Sequence, residues 1–335
     1  MSSPDSRNNS YFERLTFGGH YQRMWKIYSE QYKVFLTLSA VVLVPSIIIM
    51  TILAHFVGES IFSDSKDIDP TDPNATTSFI AVHMHAFLVM SSVSALFSMV
   101  FTAVGRGAMI RAVAEMYLGA NPDWKACLAM GAKRFCALLC SGFVIVGVIF
   151  AMALVPGALF GIAVATKSAL LFLLAFIAYV AFFVGYFYVL IAASLVFPAI
   201  VIENVSALGG VKRALDLVQN RWCSVFCLTF LIAIANGIVS KILQTIILGS
   251  NPWALLTPSG VLVTYVPAIF VLPAITILNT VIYLNLRIDK EGMNVDVVRR
   301  DVLSDGLAAY GIVDLDDSGK AYHANLESAK IISNV

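Results

Sequence analysis

Long, almost uncharged apolar runs alternate along the chain with short polar segments, and the lengths of the runs set its architecture. Crossing a hydrocarbon core of ~30 Å takes about 20 helical residues. Six runs are long enough, at approximately 34–57, 79–105, 135–164, 168–197, 223–249 and 259–286. The pattern predicts an all-α polytopic membrane protein of six transmembrane helices paired as three hairpins. Its membrane domain covers 21–300, between a disordered N-terminus over 1–20 and a polar tail over 301–335.

The polar segments repeat a pattern of their own. MWKIYSEQYKVF (24–35), WKACLAMGAKRF (124–135) and VKRALDLVQNRW (211–222) each lead into a pair of apolar runs and end on basic and aromatic residues. This internal repeat predicts three units, each an interfacial amphipathic helix followed by a hairpin. In the third unit Leu208, Val211, Leu215 and Val218 recur at helical spacing while Lys212, Arg213, Asp216 and Arg221 lie on other faces. That is the arrangement of a helix lying along a membrane surface. Trp25, Trp124 and Trp222 belong at headgroup depth, where amphipathic rings anchor. With Lys26, Lys133, Arg134, Lys212, Arg213 and Arg221 they form the expected lipid-headgroup set.

Charge fixes the expected orientation. The 335 residues are 59% apolar and 13% charged, with a mean hydropathy of +0.83 and a net charge of +1. All of the 22 Lys and Arg except Lys66, Lys167 and Lys241 fall before the first run or in the polar segments 106–134, 198–222 and 287–335. The positive-inside rule then places those segments and both termini in the cytosol. A basic balance spread this way is topological and excludes a nucleic-acid surface. Residues 1–33 are polar and contain no cleavable signal pattern, so the first run is its own insertion signal. The opposite loop, 58–78, is acidic and contains Asn74-Ala75-Thr76, a glycosylation acceptor if that face is lumenal. Similar triplets at Asn8 and Asn204 lie on the cytosolic side. Asn74 and the tail suggest an endomembrane or plasma-membrane address. The five cysteines, Cys127, Cys136, Cys140, Cys223 and Cys227, sit at the cytosolic ends of runs, where thiols stay reduced and act as buried small hydrophobes.

Few residues in the membrane could carry chemistry. None of the six runs contains Asp or Glu, and Lys241 is close enough to the far interface to snorkel. His83 and His85, two apart, do not share a helix face and make no metal pair. Gly157 and Gly161 form a small-residue face suited to helix packing, within the chain in preference to a homo-oligomer. Pro267 and Pro273 kink the sixth run, and Asn236 and Asn279 can bond across helices. In the tail, Asp314, Asp316, Ser318 and Gly319 match the start of a calcium loop, but position 12 is Asn325 where a Glu is required. No phosphate-binding loop, nucleophile elbow or metal cluster appears, so no catalytic residue, metal or cofactor is expected.

Three stretches resemble one membrane-domain family: RGAMIRAVAEMYLGANPDWKACLAMGAKRF (106–135), PAIVIENVSALGGVKRALDLVQNRW (198–222) and TVIYLNLRIDKEGMNVDVV (280–298). It is the domain fused to some bacterial glycerophosphodiester phosphodiesterases, with similar stand-alone six-span proteins in bacteria and plants. The resemblance covers roughly 20–300 and implies an integral-membrane module; the phosphodiesterase domain is missing, so no hydrolase residues carry over. The expected function is a non-enzymatic membrane scaffold or lipid-associated module, with membrane lipids, anionic ones among them, as partners. The alternative is a facilitator for a small apolar or amphipathic solute.

Overall fold

The computed structural model describes residues 14–58, 73–118, 120–249 and 257–292, with backbone alone at 57–58, 73–81, 86–87 and 90. The described residues form helices α1 (Phe17–Glu30), α2 (Tyr32–Leu53), α3 (Pro73–Tyr117), α4 (Trp124–Lys133), α5 (Phe135–Thr166), α6 (Ala169–Glu203), α7 (Ala207–Val218), α8 (Trp222–Leu248) and α9 (Pro258–Glu291). A single π-helical turn, Ala54–Gly58, follows α2. Six of the helices, α2, α3, α5, α6, α8 and α9, are long and apolar enough to cross a membrane.

Local chemistry explains the short helices. Thr16 caps α1 by accepting the Gly19 N–H, Asp123 caps α4 through the Lys125 and Ala126 N–H groups, and Ser206 caps α7 through Gly209. The caps move two expected boundaries. Helix α1 starts at Phe17, so residues 17–20 of the segment expected to be disordered are helical, and His20, Met24 and Ile27 are buried there. Helix α7 begins four residues before the window at 211, directly after its Ser206 cap. Asn204, at φ 56°, turns the chain between α6 and α7.

Helix α9 is the axis of one end of the bundle. It packs against α1, α2, α3, α6, α7 and α8, and residues 280–288 are buried on every side, Asn285 and Arg287 included. A helix apolar all round is one enclosed all round. At this end α1 lies on α9, α4 on α3, and α7 on α6 and α9. Because these helices carry most of the described Lys and Arg, it is called the basic end below. Glycines let α4 approach: a Cβ on Gly131 would stand 2.5 Å from the Val104 carbonyl oxygen and 2.8 Å from the Ala108 nitrogen. By contrast α5 and α6 turn Phe143, Phe150, Leu154, Phe176 and Phe183 outward, as lipid-facing surfaces do.

Several expectations shift. Helices α3, α6 and α9 run past the ends of their apolar runs to Tyr117, Glu203 and Glu291, so they do carry charges: Arg106, Arg111, Glu115, Glu203, Arg287, Asp289, Lys290 and Glu291. Hydropathy falls before the helix ends because the last turns stay helical among polar neighbours. Only Cys127 is buried; Cys136, Cys140, Cys223 and Cys227 are exposed on outward faces of their helices. Gly157 and Gly161 face open space, with no described neighbour within 4 Å of an added Cβ, so they seat none of the described helices. The calcium-like turn at 314–325 and Asn8 lie outside the described residues, as does most of the 58–78 loop; Asn74 is described by its backbone alone, in the first turn of α3.

Candidate functional site

The charges that the longer helices carry meet at the basic end. Glu203, the last residue of α6, faces Arg213 of α7, whose Nε donates to both carboxylate oxygens at 2.9 Å. Arg213 Nη2 lies 2.5 Å from Glu291, and Arg287 Nε lies 3.2 Å from Glu203 and 3.1 Å from Glu291. The Tyr283 hydroxyl donates to Glu203. Two carboxylates therefore meet two guanidiniums, and among the described residues the charges of the cluster balance. Burial works to lower the Arg213 pKa, but Glu203 and Glu291 outweigh it and hold the guanidinium above its ordinary value. The arrangement can clamp α6, α7 and α9 together; it offers no free acid or base. Lys290 completes the clamp by donating to the Asp216 and Gln219 carbonyls at 2.9 and 2.6 Å, which satisfies the C-terminal end of α7.

A second group lies beside it. Asp289 sits 2.9 Å from Arg14 and 3.9 Å from Arg221, and the Leu15 N–H donates to Asn285 Oδ1 at 3.0 Å, tying the start of the described chain to the end of α9. Between α1, α8 and α9 is a cavity of about 130 Å³ lined by His20, Arg221, Ser224, Asn285 and Asp289 on its polar side and by Leu228 and Ile282 among its apolar walls. His20 Nδ1 is 2.8 Å from the Thr16 carbonyl. Desolvation lowers the imidazole pKa below its ordinary value, opposed by that carbonyl and by Asp289. Tyr21 donates to the Leu228 carbonyl at 2.6 Å across the same helices.

A third group holds α4. Arg111 Nε is 2.8 Å from Glu115, and the Cys127 thiol donates to the same carboxylate at 3.8 Å. Burial first, and the neighbouring Glu115 charge after it, push the Cys127 pKa far above the ordinary thiol value. Among the described residues no group of three or more His, Cys, Asp or Glu could hold a metal ion.

The expected headgroup residues separate into two sets. Lys26, Lys133, Lys212, Trp25 and Trp222 are exposed, while Trp124 and Arg134 are half-buried. Arg213 points inward to its two carboxylates, and Arg221 lines the cavity near Asp289. Leu208 is 68% exposed and Leu215 half-buried, because α7 packs through Gly210, Ala214, Leu217 and Val218. The apolar stripe expected on α7 thus flanks its buried face instead of coinciding with it. Glu203, Tyr283, Asp289 and Glu115 were not anticipated as partners, although Arg111/Glu115 and Arg287/Glu291, each four apart, carried the helical ion-pair spacing.

From residue 6 to 313 the chain matches a domain family of unknown function, DUF8558. The chain belongs to that family. No curated protein and no solved structure matches it. The DUF8558 match takes in all six membrane-crossing helices and the three polar groups of the basic end together.

Proposed function

We propose that the chain is a lipid-associated integral membrane module, non-enzymatic, which holds anionic lipid at its basic end, and that this end and both termini face the cytosol. The observation that carries the reading is how the cations are sorted. Arg111, Arg213 and Arg287 are spent on carboxylates inside the bundle, while Lys26, Lys133 and Lys212 stand exposed, as do the rings of Trp25 and Trp222. Outward ammonium groups suit an anionic leaflet, to which each contributes about 1 kcal/mol, and exposed tryptophans suit its interface. Contact between Arg14 and Asp289 supports placing both ends of the chain on one side. Direct packing of α2 on α3, α5 on α6 and α8 on α9 supports three hairpins, and α7, buried on one face with Leu208 and Lys212 exposed on another, supports the interfacial helices. Kinship with the membrane domain of the phosphodiesterases, in this reading, is kinship of the module alone.

The test is resonance transfer from the protein's tryptophans to labelled phosphatidylserine or labelled phosphatidylcholine in mixed bilayers. Several-fold preference for the anionic probe is expected, and the triple change Lys26→Gln, Lys133→Gln, Lys212→Gln should erase it. Equal transfer to the two probes in the unaltered protein would overturn the reading. A second reading, the solute facilitator, draws on Asn279, whose Oδ1 is buried in α9 without a hydrogen bond six residues after Pro273. It requires proteoliposomes to pass small diols faster than empty liposomes, and Asn279→Leu to remove the difference.

A further inference from the structure

Three arginines at the basic end are held closely by carboxylates. Arg111, Arg213 and Arg287 each reach a carboxylate at 3.2 Å or less. Among the described residues Arg106 of α3 reaches none: the side chain is half-buried, its Nε is buried without a hydrogen bond, and the ring of Phe197 on α6 lies 5.6 Å from the guanidinium carbon. A half-buried guanidinium with no counter-charge beside it is only partly compensated by a ring face. Its backbone has no freedom to withdraw. A Cβ on Gly105 would meet Val42 at 2.8 Å, and one on Gly107 would meet Leu138 at 2.9 Å, so α3 is gripped on both sides of Arg106.

The level of the side chain says what kind of anion would complete it. Phe197 lies six residues before the end of α6 at Glu203, about 9 Å deeper than the ion-pair cluster at 1.5 Å per residue. Seven and fourteen residues deeper still, on the same face of α6, Leu190 and Phe183 are 39% and 53% exposed. A guanidinium at the edge of the hydrocarbon, above an open apolar strip, matches a phosphate joined to acyl chains. Its planar fork suits phosphate oxygens in a bidentate contact.

We propose that Arg106 binds the phosphate of a phospholipid whose acyl chain runs down α6 past Leu190 and Phe183. This deepens the lipid-associated reading and rests on it, but differs in selectivity: the lysines discriminate by headgroup charge, whereas a phosphate contact serves anionic and zwitterionic phospholipids alike. Native mass spectrometry of the full chain, released from detergent micelles doped with phosphatidylglycerol, phosphatidylcholine or diacylglycerol, separates the two. The unaltered protein should retain one phospholipid of either class after the surrounding lipids are stripped, and no diacylglycerol. Arg106→Gln should lose that lipid, Arg106→Lys should keep it in part, and the triple lysine variant should keep it fully. Phosphorus NMR of the unaltered protein should show one bound resonance that excess inorganic phosphate leaves in place. Equal retention by Arg106→Gln, retention of diacylglycerol, or displacement by inorganic phosphate would each overturn the assignment, the last by assigning the site to a soluble anion.

Discussion

Adding one methyl group at Gly131 should loosen the basic end. The new Cβ would stand 2.5 Å from the Val104 carbonyl oxygen and 2.8 Å from the Ala108 nitrogen, both backbone atoms of α3 that no rotamer change can move. Ordinary contact begins at 3.4 Å, so α4 would have to retreat by nearly 1 Å. A gap of that size forfeits about a quarter to a half of the dispersion energy of the atoms lining it, Cys127 among them. Overpacking of this kind costs about 3 kcal/mol at its upper end. Alanine's better helix propensity returns about 1, leaving a net loss near 2 kcal/mol. At about 2–4 °C for each kcal/mol in a chain of this order, the unfolding midpoint should fall by about 4–8 °C. The matched control is Gly157→Ala, where nothing lies within 4 Å and only the propensity gain operates. Both variants would be heated in detergent and the surviving monodisperse fraction read by size exclusion. If Gly131→Ala were as stable as Gly157→Ala, the close approach of α3 and α4 would be wrong.

Glu203→Gln would take one carboxylate from both Arg213 and Arg287, and breaking a buried pair costs about 3–5 kcal/mol. The neutral double change Glu203→Gln, Arg213→Gln should cost less than the sum of its parts, and additivity in thermal unfolding would show that the two do not interact. Burial holds the His20 pKa below about 6.5, so the unfolded chain binds the proton more readily. Stability should be complete above that pH and decline as pH falls below it, and His20→Asn should flatten that part of the profile; parallel profiles would contradict the buried, neutral imidazole. Cys127, buried and with its thiolate strongly disfavoured, should be the last of the five cysteines alkylated by maleimide in the native protein and should react like the others after denaturation. Peptide mapping that finds it modified first would refute its placement against Glu115.

What the sequence makes legible is set by how far apart the cooperating residues are. The long apolar helices are local features: twenty apolar residues in a row declare themselves, and so does the short helix beginning at Trp124, because Asp123 supplies its cap in the adjacent position. The clamp is non-local. Glu203 and Arg213 are ten residues apart, but Tyr283 is eighty residues from Glu203, and only the packing of α9 between α6 and α7 makes them neighbours. Periodicity on α7 marks apolar positions without saying which neighbour each meets. Leu208 and Val218 therefore read alike in the sequence, although one is outside and the other packed on the core. Gly157 and Gly131 also read alike as small residues in helices, and only the position of α3 makes the second indispensable.

The partition between arginine and lysine has a physical basis that links the fold to the proposed lipid association. A guanidinium is planar, weakly hydrated and able to satisfy two carboxylates at once, so it tolerates the low-dielectric interior where Glu203 and Glu291 share Arg213 and Arg287. An ammonium is a strongly hydrated point charge on a flexible stem, better left at a wet interface. Exchanging the two types should therefore fail in opposite ways. Arg213→Lys keeps the charge but gives up the fork, so α7 should detach from α6 and α9 with a loss of stability while anionic-lipid preference persists. Lys212→Arg keeps both the charge and the exposure, so neither stability nor lipid preference should change. A protein in which Arg213→Lys removed lipid preference without affecting stability would place Arg213 at the membrane surface, and the division between an inner clamp and an outer lipid-binding face would have to be abandoned.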